Sequence, residues 1–152
     1  VRRGDLLQEV DKMGQKSATL PPIGLFGCFS GGSNTGSLTS LAALEAVRRL
    51  GSARVGICSL PAILNRVPRQ SALVGKIQKI VVLDGCHNAC ARELLAGVGI
   101  RPDVYLNLEQ DLGIAKQGPF TSLEFTEQEV QAVAGALIAL LEAEAQKGEP
   151  GA

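Results

Sequence analysis

Tryptophan is absent from this chain, tyrosine occurs once, and aromatic residues make up only 3% of it. Proteins that grip single-stranded nucleic acid stack its bases on aromatic rings, so the platforms for that mode of binding are missing. The charge that would draw a phosphate backbone is missing as well. Lys and Arg number 15 against 15 Asp and Glu, and no block of Lys or Arg stands out, so no nucleic-acid partner is expected. No apolar run approaches the roughly 20 residues that span a bilayer. The opening VRRGDLLQEVDKMGQ has no continuous apolar stretch of the kind an export signal carries. The expectation is a soluble, cytoplasmic chain with no membrane partner.

What is present suffices for one domain. The chain has 152 residues, 45% of them hydrophobic, enough to build a single core without covalent staples. Four cysteines, Cys28, Cys58, Cys86 and Cys90, allow two disulfides in three pairings. In a chain with an ample core and no export signal, metal binding or thiol chemistry is the better expectation. Isolated cysteines are also often small buried hydrophobes. The positions of these four argue against that bland alternative.

Residues 1–22 read as an N-terminal arm or short helix with Leu6, Val10 and Met13 on one face, ended by Pro21 and Pro22. A single α/β metal-binding domain is expected over 23–148, with a tail at 149–152. Its strands are IGLFGC at 23–28, ARVGIC at 53–58, KIVVLDGC at 79–86 and DVYLNL at 103–108. These short runs rich in Val, Ile and Leu suit strands buried on both faces of a parallel sheet. Between them, SLTSLAALEAVRRLG is a helix closed by Gly51, and NACARELLAGVG one closed by Gly97 and Gly99. The stretch LPAILNRVPRQSALVG, interrupted by Pro68, reads as a loop with one or two short turns. Near the end, Thr126 and Glu129 make a capping box ahead of an apolar stripe of Val130, Val133, Ala134, Leu137, Ile138 and Leu141. Alternating strand and helix imply a three-layer α/β/α fold with a four-stranded, mainly parallel sheet.

Each of the first three strands ends in a cysteine, at Cys28, Cys58 and Cys86, with Cys90 one helical turn further on. In a parallel sheet all carboxyl ends lie on one edge, where ligands bind. The four thiols should therefore converge there. A tetrahedral zinc site takes four sulfurs at about 2.3 Å, and adjacent strands lie about 4.8 Å apart. Strand order 2-1-3-4 makes the three cysteine-bearing ends neighbours, so that order is preferred. Cys86 and Cys90, four apart, would face the same way on a helix.

Four thiolates on Zn²⁺ leave a net charge of minus two, which calls for hydrogen-bond donors. The turn SGGSNTG at 30–36 supplies candidates: Gly31, Gly32, Ser33 and Asn34 could form an anion-binding nest at a helix N-terminus. A nucleotide-binding reading of this turn is disfavoured, because it lacks both the GxxxxGK[ST] lysine and a GxGxxG spacing. His87 is a candidate fifth ligand, outer hydrogen-bonding group or proton donor. Asp84 reads as a turn or helix-cap residue rather than a base. After the fourth strand, a long connection at 109–125 leaves from the cysteine-bearing edge, where long loops are usually functional. Its Lys116 is either a surface lysine or one that reaches over the site.

These segments resemble the DGC-domain family of zinc-binding proteins, named for the Asp-Gly-Cys found here as Asp84, Gly85 and Cys86. The resemblance covers GGSNTG, VGIC, VVLDGCHNACA, GIRPDVYLNL and LGIAK, most of residues 23–118. It implies a zinc ion on Cys28, Cys58, Cys86 and Cys90. Two residues depart from the usual family pattern: Phe29 intervenes between Cys28 and Ser30, and His87 replaces a proline. The leading expectation is a zinc-binding domain whose metal is structural or carried. Open beside it are a thiol redox or sulfur-transfer enzyme using Cys86 and Cys90, or Cys28, and an iron-sulfur protein.

Overall fold

A computed structural model describes residues 20–148 of the chain. The expectation of an arm or helix carrying Leu6, Val10 and Met13 lies outside the described residues. Four strands, β1 (Ile23–Gly27), β2 (Val55–Ile57), β3 (Lys79–Asp84) and β4 (Val104–Asn107), form one sheet in the order β2-β1-β3-β4 with every pairing parallel. The order and the α/β class are those read from the sequence. Register is continuous across the sheet: Leu25 lies opposite Ile57 on one side and Val81 on the other, and Val81 opposite Val104.

Strand side chains alternate between two apolar layers, as the pleat requires. Ile23, Leu25, Val55, Val81, Leu83 and Leu106 pack on α1 (Asn34–Leu50) and on the last helix, α6 (Glu127–Lys147). The helix α1 ends where Gly51 takes φ 90 and donates to the Val47 carbonyl. At the start of α6 the capping box of Thr126 and Glu129 is complete. Val130, Val133, Ala134, Leu137 and Leu141 are buried along that helix, and Ile138 is half-buried beside them.

Phe26 and Val82 face the opposite layer, formed by α2 (Leu60–Leu64), α3 (Pro68–Val74) and α4 (Cys90–Gly97). Here the sequence reading was too coarse. The stretch expected to be loop and turns holds two short helices, and Pro68 opens α3 rather than interrupting a helix, because the missing N–H of a proline costs nothing in a first turn. The long connection expected at 109–125 is shorter than that: its first residues belong to α5 (Leu108–Leu112), capped by the Asn107 side chain, which accepts from the Glu109 and Gln110 amides. Among the described residues no helix is long and apolar enough to cross a membrane.

Candidate functional site

The carboxyl edge of the sheet is shaped by two close backbone approaches. A Cβ on Gly36 would lie 1.7 Å from the Ser30 carbonyl oxygen, and one on Gly85 would lie 2.8 Å from the carbonyl carbon and oxygen of Thr35. The glycine-rich turn after β1 and the Asp-Gly-Cys turn after β3 therefore touch backbone to backbone, which only glycine permits at these positions.

Between them opens a cavity of about 350 Å³ whose lining includes Cys28, Cys86, Cys90, Asn88 and Lys116. Three of the four expected thiols thus share one cavity. Cys28 and Cys86 are half-buried and Cys90 is exposed. Burial raises the pKa of the Cys28 thiol, the Ser30 backbone opposes that, and the charges of Asp84, Cys90 and Cys86 add to it. Those charges act on Cys28 because the three thiols are near neighbours.

Cys58 is placed differently. It continues the alternation of β2 and turns into the α2–α4 layer, packed with Phe26, Leu60 and Ile63. Its Sγ lies over the open face of Gly24, 3.0 Å from where a Cβ would stand, and 3.8 Å from the Gly56 carbonyl oxygen. Burial pushes its pKa up to about 11. With Cys28 it lines an adjoining crevice of about 540 Å³ rather than the cavity of the other three. Among the described residues no group of three or more His, Cys, Asp and Glu side chains is arranged as a metal-ion ligand shell.

Cys86 and Cys90 reach the cavity by a route other than a shared helix face. The helix α4 begins only at Cys90, because Ala89 adopts a left-handed conformation (φ 48) and its amide closes a turn onto the Cys86 carbonyl at 3.0 Å. Asp84 then caps α4 from the strand: its carboxylate accepts the Ala91 amide at 2.9 Å and the Arg92 amide at 3.0 Å. The reading of Asp84 as a helix-cap residue agrees with this. The hydroxyl of Tyr105 donates to Asp84 at 3.2 Å and accepts from the Asn107 side-chain amide, which also donates to the Cys86 carbonyl at 2.8 Å. Burial pushes the Tyr105 hydroxyl up to about 12, with the Asn107 amide opposing the shift, so the phenol remains a donor. Arg92 stacks over the Tyr105 ring at 4.5 Å. The Asp84, Tyr105 and Asn107 frame holds both ends of the turn that carries the two thiols. Tyr105 and Asn107 were read only as strand residues; their polar character inside an apolar run is the signal that marks them.

His87 is turned to Glu109. Its amide and its Nδ1 both lie 2.9 Å from Glu109 Oε2, and the side chain is exposed. The His87 amide and ring, in that order, hold the Glu109 carboxyl below its usual range.

The glycine-rich turn is largely occupied by the protein itself. Ser33 caps α1 through the Gly36 amide. Gly31 accepts the Ser122 hydroxyl, and Gly32 accepts the Phe120 amide at 2.8 Å. The buried Asn34 side chain donates to the Ala115 carbonyl at 3.0 Å and accepts the Gln117 amide at 2.9 Å, so it clamps the residues on either side of Lys116. Gly32 and Ser33 line the thiol cavity; Gly31 and Asn34 do not. Phe29 is accommodated by a left-handed backbone (φ 48), with its ring against Gly27 and the α1 side of the core and its amide on Thr39.

A family model, the DGC domain, matches residues 24–137. No curated protein and no solved structure matches the chain. That match spans the four cysteines, the glycine-rich turn and the Lys116 loop, and the chain belongs to the DGC-domain family.

Proposed function

We propose that this DGC-domain protein handles zinc at the cavity of Cys28, Cys86 and Cys90, and that Cys58 is a core thiol outside the ligand set. The observation that carries the reading is the gathering of three thiols from two strand ends and one helix start around a single cavity. Sulfur donors suit a soft or borderline divalent ion. Cys58 is left out of the ligand set because its sulfur packs in the apolar layer over Gly24 and lines the adjoining crevice rather than this cavity.

Cys28, Cys86 and Cys90 would hold the ion with three protein ligands and so would leave a position for an external ligand. Around it, the chain's own residues have defined tasks. Lys116, held in place by the Asn34 clamp, offsets thiolate charge from one side, and the Ser30 backbone favours the Cys28 thiolate from another. Asp84 fixes the start of α4 and with it Cys90.

Metal analysis of protein purified under reducing conditions is the test. About one zinc per chain is expected, retained in Cys58→Ser and lost in Cys28→Ser, Cys86→Ser and Cys90→Ser. Loss of zinc in Cys58→Ser would restore the four-cysteine site and overturn this one. Metal-free protein in which Cys90 reacts quickly near neutral pH would instead favour thiol redox or sulfur-transfer chemistry, for which the exposure of Cys90 speaks. A visible charge-transfer band would indicate an iron-sulfur cluster.

A further inference from the structure

The thiol cavity is not the roomiest in the molecule. A cavity of about 620 Å³ opens at the other end of the α2–α4 layer, where α3 runs into β3 and α4 into β4. Its walls are aliphatic: Ile63, Val74, Ile80, Val98 and Ile100 contribute, and no aromatic ring does. Arg66 and Arg101 also line it. Among the described residues neither guanidinium is taken up by a hydrogen bond or ion pair. The carboxylate nearest Arg101 in sequence, Asp103, is occupied by the Ile80 amide at 2.7 Å. Arg66 sits at the turn between α2 and α3 in a left-handed conformation (φ 56). A long side chain seldom adopts that backbone, and such residues concentrate at ligand sites.

We propose that this cavity binds an aliphatic carboxylate, with the chain in the aliphatic pocket and the carboxylate against Arg66 and Arg101. The size falls within the usual range for small-molecule sites, about 300–1,000 Å³. Walls without aromatic rings offer a flat base or ring nothing to stack on, whereas an alkyl chain needs only aliphatic contact. Two unpartnered guanidinium groups at one cavity supply paired N–H donors of the geometry a carboxylate accepts. The site is separate from the thiols: α2 lies between the two, with Leu60 on the thiol cavity and Ile63 on this one.

Titration calorimetry on the full chain with octanoate tests the proposal, with octanol and inorganic phosphate as controls. Saturable binding of one octanoate is expected, with octanol and phosphate each weaker by about tenfold or more. The double variant Arg66→Gln/Arg101→Gln should lose about tenfold in octanoate affinity as well. Equal affinity for octanol would make the cavity merely greasy, equal affinity for phosphate would make it a simple anion site, and absence of saturation would leave it without this ligand. Each of these overturns the proposal. Methyl NMR on the unaltered chain gives a readout that needs no variant. Octanoate should shift Ile63, Val74, Ile80, Val98 and Ile100, and shifts confined to Leu60 and Leu94 at the thiol cavity would refute the placement.

Discussion

The carboxylate of Asp84, at the end of β3, accepts the amide of Ala91 in the first turn of α4 at 2.9 Å, and the same side chain reaches the Arg92 amide. A strand residue thus caps the helix that follows it, across the turn that carries Cys86 and starts with Cys90. Asp84 and Ala91 are both buried. Replacing Asp84 by Ala leaves two amides and the Tyr105 hydroxyl without an acceptor, which should cost about 2–4 kcal/mol. Asp84→Asn keeps one acceptor oxygen and should cost roughly half of that. Urea denaturation measures both. Equal stability of the wild type and Asp84→Ala would show that water replaces the carboxylate at no expense.

Much of this arrangement was legible in the residues. Three apolar runs ending in cysteine gave the strands, and the demand that their ends be neighbours gave the order β2-β1-β3-β4. The capping box named the start of α6 because its two hydrogen bonds are local to four residues. What stayed hidden depends on longer range or on atypical backbone. The end of β2 marks Cys58 as a crevice residue, and it does line a crevice with Cys28, but its sulfur also packs beside Phe26 in the room that Gly24 leaves. The left-handed Ala89 that separates Cys86 from α4 has no signature, since alanine carries no preference for positive φ. The two helices at 60–74 are too short to show an apolar period.

The two backbone contacts at the sheet edge predict a graded response to the smallest substitution. Gly36→Ala places a methyl group 1.7 Å from the Ser30 carbonyl oxygen, and Gly85→Ala places one 2.8 Å from the Thr35 carbonyl. Neither neighbour is a flexible side-chain end, so the glycine-rich turn must open in the first variant and the two turns must move apart in the second. Each change should cost at least about 1–3 kcal/mol, Gly36→Ala the more. Gly97→Ala is the control: its Cβ meets nothing within 4 Å, and it should be neutral or stabilise by about 0.5 kcal/mol. Thermal melts of the three variants give the ranking, and a Gly85→Ala protein as stable as Gly97→Ala would show that the turns are not in contact.

The Asn34 clamp predicts where the long loop opens. Asn34→Ala removes the bonds to Ala115 and Gln117 and should lower stability by about 1–3 kcal/mol. Its sharper consequence is local. Trypsin should cleave after Lys116 faster in the variant, because a protease requires an extended, released segment. Cleavage after Lys76, in the distant turn between α3 and β3, serves as the internal reference. Acceleration at both sites alike would mean global destabilisation rather than loss of the clamp.

The buried Cys58 thiol predicts an alkaline limit to stability. Its pKa is raised from 9.0 to about 11 by burial, so the folded chain holds the proton where the unfolded chain releases it. The stability tied to the neutral thiol is fully present below pH 9 and is lost as pH rises through 11, by at most about 3 kcal/mol. Cys58→Ala removes that titration and should flatten the pH dependence of the denaturation midpoint between pH 9 and 11, at the cost of a small buried sulfur. Alkylation reports the same difference by site. At pH 8, with metal removed, the exposed Cys90 should be modified first and Cys58 last. Early modification of Cys58 under conditions where the fold is intact would place its thiol at the solvent edge of the crevice, back among the candidate ligands.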